Sequence, residues 1–138
     1  MTKRIVKAGL CVVRDGKLLL ARSVGDAHFQ IPGGKIESGE SDVDAMVREA
    51  SEELDINVYR NTAVHLKTFE AAAAGRSDVI VEVRLYRADF TGDPRPSSEI
   101  AELHWQPLGA PVVACSDVVG LHILPYLLEL AQTKDRVE

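Results

Sequence analysis

Two cysteines, one tryptophan and an aromatic share of only 5% leave this chain short of the residues that staple or stack. Cys11 and Cys115 stand far apart, so neither a disulfide framework nor a CxxC zinc site is encoded. Cys11 lies within an apolar run and reads as a small core residue. His28, His65, His104 and His122 show no paired metal spacing and read as structural or surface residues. Lys and Arg form no run and the formal net charge is −5, so the basic footprint of a nucleic-acid-binding chain is missing. Long apolar runs are missing too. The stretch VVGLHILPYLLEL is interrupted by His122 and Pro125 and is too short to cross a bilayer. Near the start, AGLCVV is followed at once by Arg14, which is not the pattern of a signal peptide. The expectations are no nucleic-acid partner, no membrane partner and a reducing cytoplasm.

What the chain does have is a globular balance of 46% hydrophobic and 27% charged residues over 138 positions, enough for a single domain spanning 1–138. Residues 4–13 and 17–22 are β-rich runs joined by RDGK, where Asp15-Gly16 marks a two-residue hairpin. Further strands are expected at TAVHLKTFE and DVIVEVRLYRADF, separated by a small-residue loop AAAAGRSD. In the second of these, Val79, Val81, Val83 and Leu85 share one face, and Ile80, Glu82, Arg84 and Tyr86 the other. After the turn TGDPRPSS come a short strand near AELHWQPL and a C-terminal helix over 116–132, which Pro125 should kink or break. The order of these elements gives one mixed α/β domain.

Between the hairpin and the third strand lies PGGKIESGESDVDAMVREASEELDI. Ser41 is placed to cap a helix over 42–54, with Asp44 completing a capping-box variant. Val43, Val47, Ala50 and Leu54 form its apolar stripe. Glu49, Glu52 and Glu53 then crowd the flank, displayed to solvent, with no Lys nearby in the sequence. Each like-charge pair at that spacing costs roughly 0.2–0.5 kcal/mol. A hard divalent cation, which takes oxygen ligands and bridges to phosphates, is the natural neutralising partner. The plain alternative is a solvated helix face on which Arg48 and Glu52 pair. Gly33 and Gly34 allow the preceding loop to approach that flank closely.

The spacing Gly34, Glu40, Arg48-Glu49-Ala50, Glu52-Glu53 and Ile56 resembles the signature box of the Nudix hydrolases, over 34–56. One position departs: Asp55 stands where that family usually has Gly, at a helix end that favours a left-handed residue. The resemblance implies an α/β/α sandwich around a mixed β-sheet. It also implies Mg2+ or Mn2+ as cofactor, bound by Glu49, Glu52 and Glu53 with the carbonyl of Gly33. Glu49 would help to deprotonate the attacking water, Arg48 would orient the glutamates, and Glu40 would support the loop and helix. In MutT-like relatives a further acidic ligand comes from a loop before a Trp-containing strand. Asp93, ahead of Trp105, is the nearest match, with Glu82 and Glu99 as rivals. Without metal, mutual repulsion should raise at least one glutamate pKa.

The resemblance further implies a nucleotide-type substrate. The proline of ADP-ribose-specific relatives, the tyrosine of dinucleoside polyphosphate relatives and the extra motif of coenzyme A relatives have no counterpart here. What is left is a MutT-like nucleoside triphosphate pyrophosphohydrolase releasing monophosphate and pyrophosphate. The other readings are an ADP-ribose or nucleotide-sugar pyrophosphatase, a diphosphate isomerase of the same fold, or a non-catalytic nucleotide sensor. Phe29 and Tyr86 are candidates for stacking on a base, although packing is the commoner role of such aromatics. Arg22 and Lys35 are candidates for touching phosphate. Many relatives form homodimers, but no residue pattern here reports an interface, so a monomer and a homodimer both stay open.

Overall fold

The structure, a computed structural model, describes residues 2–73 and 76–133. Asp15 and Gly16 both take left-handed φ values, 53° and 71°, as a two-residue hairpin turn requires. They join β2 (Val13–Arg14) to β3 (Lys17–Ser23). The run expected as one strand over 4–13 is divided. Strand β1 (Lys3–Leu10) belongs to a different sheet from β2, and the chain passes from one to the other at Cys11 and Val12. Cys11 N–H still bonds Tyr86 O at 2.7 Å, while Val12 O already accepts from Leu19 N–H at 2.9 Å. Alternating apolarity does not show which sheet a strand belongs to, so the sequence reads through the crossing.

The larger sheet is mixed. Its order is β4 (Gly33–Lys35), β1, β7 (Arg76–Arg87) and β6 (Val64–Ala73), with β1 and β7 parallel and the other pairs antiparallel. The second sheet is antiparallel, in the order β2, β3 and β9 (Ile100–Pro107). A two-stranded piece pairs β5 (Asn57–Val58) with β8 (Phe90–Thr91). The small-residue loop expected after residue 70 is mostly strand. Ala71 and Ala72 pair with Val81 and Ile80 on the neighbouring strand, whose β-branched chains override the weak β preference of alanine. Ala74 and Gly75 of that expected loop lie outside the described residues.

Helices cover both faces. On one, α1 (Asp42–Leu54) buries Ala45, Met46, Ala50 and Leu54 against Ala8, Leu10 and Leu19. The expected stripe is therefore turned: Val43 and Val47 are half-buried at its margin. Arg84 Nη1 and Tyr86 Oη donate to Asp42 at 2.8 and 2.9 Å, holding the first helical residue over the polar face of β7. On the other face, a wide π-type turn (Val118–Ile123) leads into α2 (Leu124–Gln132). Val119, Ile123 and Leu127 there pack with Leu18, Leu20, Val83 and Leu85. Pro125 sits in the first turn of α2, where a missing N–H is harmless, so the expected break falls just before it. Strand β3 serves both cores by alternation, Leu19 to one side and Leu18 and Leu20 to the other. No described helix is long and apolar enough to cross a membrane.

Candidate active site

The acidic flank of α1 is built against β4 and the centre of β1. Ser41 caps the helix, its side chain accepting from Asp44 N–H at 3.1 Å while Asp44 returns a bond to Ser41 N–H at 3.1 Å. At the other end Asp55 takes a left-handed conformation, φ 53° and ψ 48°, so the helix ends as it would with glycine. This leaves Glu49 and Glu53, one turn apart, facing Gly33 and Gly34.

Space requires the first glycine, and the second leaves room for the Glu49 carboxyl. A side chain on Gly33 (φ 148°) would have its Cβ 2.2 Å from Ala8 O and 2.7 Å from Gly9 Cα, in the backbone of β1. One on Gly34 would have its Cβ 2.5 Å from the carboxyl carbon of Glu49. The contact recorded at Gly33 is through its N–H, which donates to Glu53 Oε1 at 3.0 Å.

Arg48 organises the entry side. Its Nε and Nη2 form a two-pronged bond to Glu40 at 2.8 Å each, and its Nη1 donates to Glu49 Oε1 at 2.6 Å. A third contact reaches Lys35 O at 3.3 Å. The guanidinium holds the Glu40 carboxyl down at about 2, with a further bond from Glu37 N–H. Arg48 itself is raised by the same bonds to Glu40 and Glu49. With both its oxygens occupied in this way, Glu40 braces the loop to the helix.

The carboxylates are less displayed than the sequence suggests. Glu52 is exposed, but Glu49 and Glu53 are half-buried. Burial raises Glu53 to about 7; the Gly33 N–H and the Lys7 ammonium oppose this, and Glu49 and then Glu52 add to it. The upward shift matches the expectation, but burial is its larger cause, ahead of the expected repulsion. Lys7, at the centre of β1, faces Glu53, Asp26 and Glu49, with Lys35 beside it, and burial lowers its pKa. It lines a cavity of about 60 Å3 with Ser23, Asp26, Gln30, Gly33 and Glu53. The lysine that the box lacks in sequence is thus supplied by another strand, through pairing that only the fold reveals.

These residues suit a hard divalent cation. The donors are oxygens only, and one is a carboxylate whose ionised form is disfavoured by its surroundings, which a cation would reverse. Among the described residues no three His, Cys, Asp or Glu side chains already converge on one point. Arg48 holds Glu49 and Gly33 holds Glu53, each along the helix flank.

Other candidate residues lie elsewhere. Asp93 is exposed in the loop that covers the C-terminal end of α1 through Arg95 N–H to Leu54 O and Ser97 N–H to Glu53 O, both 3.0 Å. No described hydrogen bond or ion pair joins Asp93 to the glutamates. Glu82 is engaged by Arg4 and Arg84, each at 2.9 Å, and Glu99 is exposed. Phe29 is 6% exposed and packs against His104, ring centroids 5.7 Å apart, so its role is the core. Tyr86 is tied to Asp42 and packs at a tilt against His65, ring centroids 5.1 Å apart. Arg22 pairs with Glu102 at 2.9 Å and bonds Asp26 O at 3.0 Å. Lys35 is exposed at the end of β4, opposite Lys7 in register.

Comparison with known proteins agrees with this arrangement. The family model for the NUDIX domain matches residues 3–118. The 8-oxo-dGTP diphosphatase of Escherichia coli K12 is 35% identical over 74 residues, 51% of this chain and 54% of that protein. The chain thus matches about half the length of that curated relative. The solution structure of the E. coli ORF135 protein superposes with a TM-score of 0.70 at 26% identity, covering 96% of this chain and 94% of that one. A MutT NUDIX hydrolase from Burkholderia pseudomallei gives a TM-score of 0.70 at 28% identity, covering 92% and 97%. With the box helix braced by Arg48, the glycine loop pressed against it and helices on both faces of a mixed sheet, the chain belongs to the NUDIX domain family, the Nudix hydrolases.

Proposed function

We propose that this chain is a Mg2+- or Mn2+-dependent pyrophosphohydrolase that splits a phosphoanhydride bond of a nucleotide, with a nucleoside triphosphate as the leading substrate. The observation that carries the proposal is the Glu49–Glu53 pair, half-buried on one helix flank and closed in by Gly33 and Gly34. The 8-oxo-dGTP diphosphatase relative supports the triphosphate as substrate class, as does the lack of the sequence marks of other Nudix substrate classes.

Glu49, Glu52 and Glu53 would hold the cation, with the backbone of Gly33 beside them. When bound, it neutralises phosphate oxygens and lowers the pKa of water near it. Arg48 fixes one oxygen of Glu49, leaving Oε2 to accept the proton of the water that attacks phosphorus. The bond from phosphorus to the bridging oxygen breaks as the new P–O bond forms, and the products are a monophosphate and pyrophosphate. Lys7 presents a cation to the same cavity as Glu53 and there offsets charge that builds on the phosphoryl oxygens. Asp93 remains the proposal for a further acidic ligand.

The test is a panel of nucleoside triphosphates, ADP-ribose, nucleotide sugars and dinucleoside polyphosphates assayed with Mg2+ or Mn2+ over a broad pH range. Turnover that needs the metal and falls at least 100-fold in Glu53→Gln is the expected result. Tight nucleotide binding without turnover would instead make this a sensing domain.

A further inference from the structure

A cavity of about 610 Å3 away from the candidate active site contains none of the box residues. It opens where β1 hands over to β2, between Cys11–Arg14 on one side and Arg87–Phe90 on the other, with Thr62 and Val64 at its edge. That size falls in the range of small-molecule sites, roughly 300–1,000 Å3.

Its charge distribution is distinctive. Every other described arginine, from Arg4 to Arg95, pairs with a carboxylate. Arg14 and Arg87 do not, and both line this cavity. Arg14 is also oriented: its guanidinium lies over the Phe90 ring at 5.5 Å and over the Trp105 ring at 5.6 Å. A guanidinium held by aromatic faces keeps its hydrogen-bond donors free. The carboxylate of Asp89, at the rim, has no described partner, because the bonds at that residue run through its backbone to Tyr59 and Thr62. The cavity therefore offers two unpaired cations, one unpaired acceptor and apolar wall from Val12, Val13 and Val64.

We propose that this cavity is a second ligand site, separate from the box, that takes a nucleoside monophosphate. The phosphate monoester sits between Arg14 and Arg87, whose forked donors match its oxygens. The base lies against the valine wall, and Asp89 accepts from the sugar hydroxyls. Two cations set against one carboxylate favour a single phosphate group over a triphosphate chain. The site does not depend on the reaction proposed for the box.

Trp105 is the only tryptophan in the sequence and reports the site directly, because ligand capture by Arg14 changes the cation lying over its ring. The experiment titrates the full chain, in EDTA so that the box holds no metal, with AMP, GMP, CMP and UMP, with the matching nucleosides and with inorganic phosphate. Fluorescence and calorimetry are read in parallel. The expected result is saturable binding of at least one monophosphate, at least tenfold tighter than its nucleoside or phosphate. Arg87→Gln should weaken it at least tenfold. Val64→Asp, a charge at an exposed rim position that leaves both arginines in place, should do the same and covers the case in which Arg87→Gln fails to fold. Glu53→Gln should leave the affinity unchanged. No saturable binding, equal affinity for inorganic phosphate, or binding lost in Glu53→Gln but kept in Arg87→Gln and Val64→Asp would each overturn the proposal.

Discussion

At the scale of single residues the site is a matter of space and charge. Gly34 is there because Glu49 is: an added Cβ would meet the carboxyl group at 2.5 Å. The obstacle is the far end of a side chain, so Gly34→Ala should move Glu49 without unfolding the protein. Loss of an outer-shell partner of a metal ligand typically costs about 10–100-fold in metal affinity or activity, and shifting the proposed ligand Glu49 should cost as much. We expect a loss of that size in kcat/KM with a melting temperature close to wild type. Glu53 gives a pH signature. In the metal-free protein it titrates at about 7, above its ordinary value of 4.5. The folded chain therefore keeps a proton that the unfolded chain has lost between those values, and its stability falls as pH rises through that window. Glu53→Gln removes this slope, so urea denaturation in EDTA should find the variant more stable at pH 8 by about 1–3 kcal/mol. Below pH 4.5 the two should converge. Equal slopes in the two proteins would show that Glu53 is not the group responsible.

At the scale of elements, α1 was the most legible part of the chain. Its cap, its length and the cluster of acids follow from local rules that the structure repeats, down to the reciprocal Ser41–Asp44 bonds. Ser41→Ala should cost about 1 kcal/mol, a typical loss for a removed cap. Asp55→Gly is predicted to change stability by less than about 1 kcal/mol, since relief of the left-handed conformation offsets the lost Arg95 partner. Activity should be unchanged, which steady-state kinetics on the same variant checks. The orientation of the helix was less legible. Residue types alone mark out its stripe, whereas Arg84 and Tyr86, contributed by β7, hold Asp42 and help set which side turns inward. The strand over 4–13 is a similar case, because nothing local marks the step from one sheet to the other at Cys11 and Val12.

At the scale of the whole molecule, the two faces of the mixed sheet divide the labour. One face packs against the box helix, and the other is closed by the π-type turn and α2. Leu127→Ala, fully buried in the second core, should cost about 2–5 kcal/mol in denaturant unfolding. It should leave the metal requirement proposed for the site unchanged in the remaining folded protein, because the carboxylates stand on the other core. What the sequence could not show at this scale are contacts between distant segments. Lys7 of β1 lines one cavity with Glu53, and Arg14 and Arg87 line another at the end of the sheet; each is an ordinary surface-type residue until the strands are paired.

We propose that the flank of α1 grips a divalent cation through Glu49, Glu52 and Glu53. The most direct measurement is calorimetric titration of the chain with Mn2+ and Mg2+ in the presence of a non-hydrolysable nucleoside triphosphate analogue, for wild type, Glu49→Gln and Glu53→Gln. The expected result is saturable uptake by the wild type that is weakened at least tenfold in both variants. Uptake of equal strength in all three proteins would contradict it.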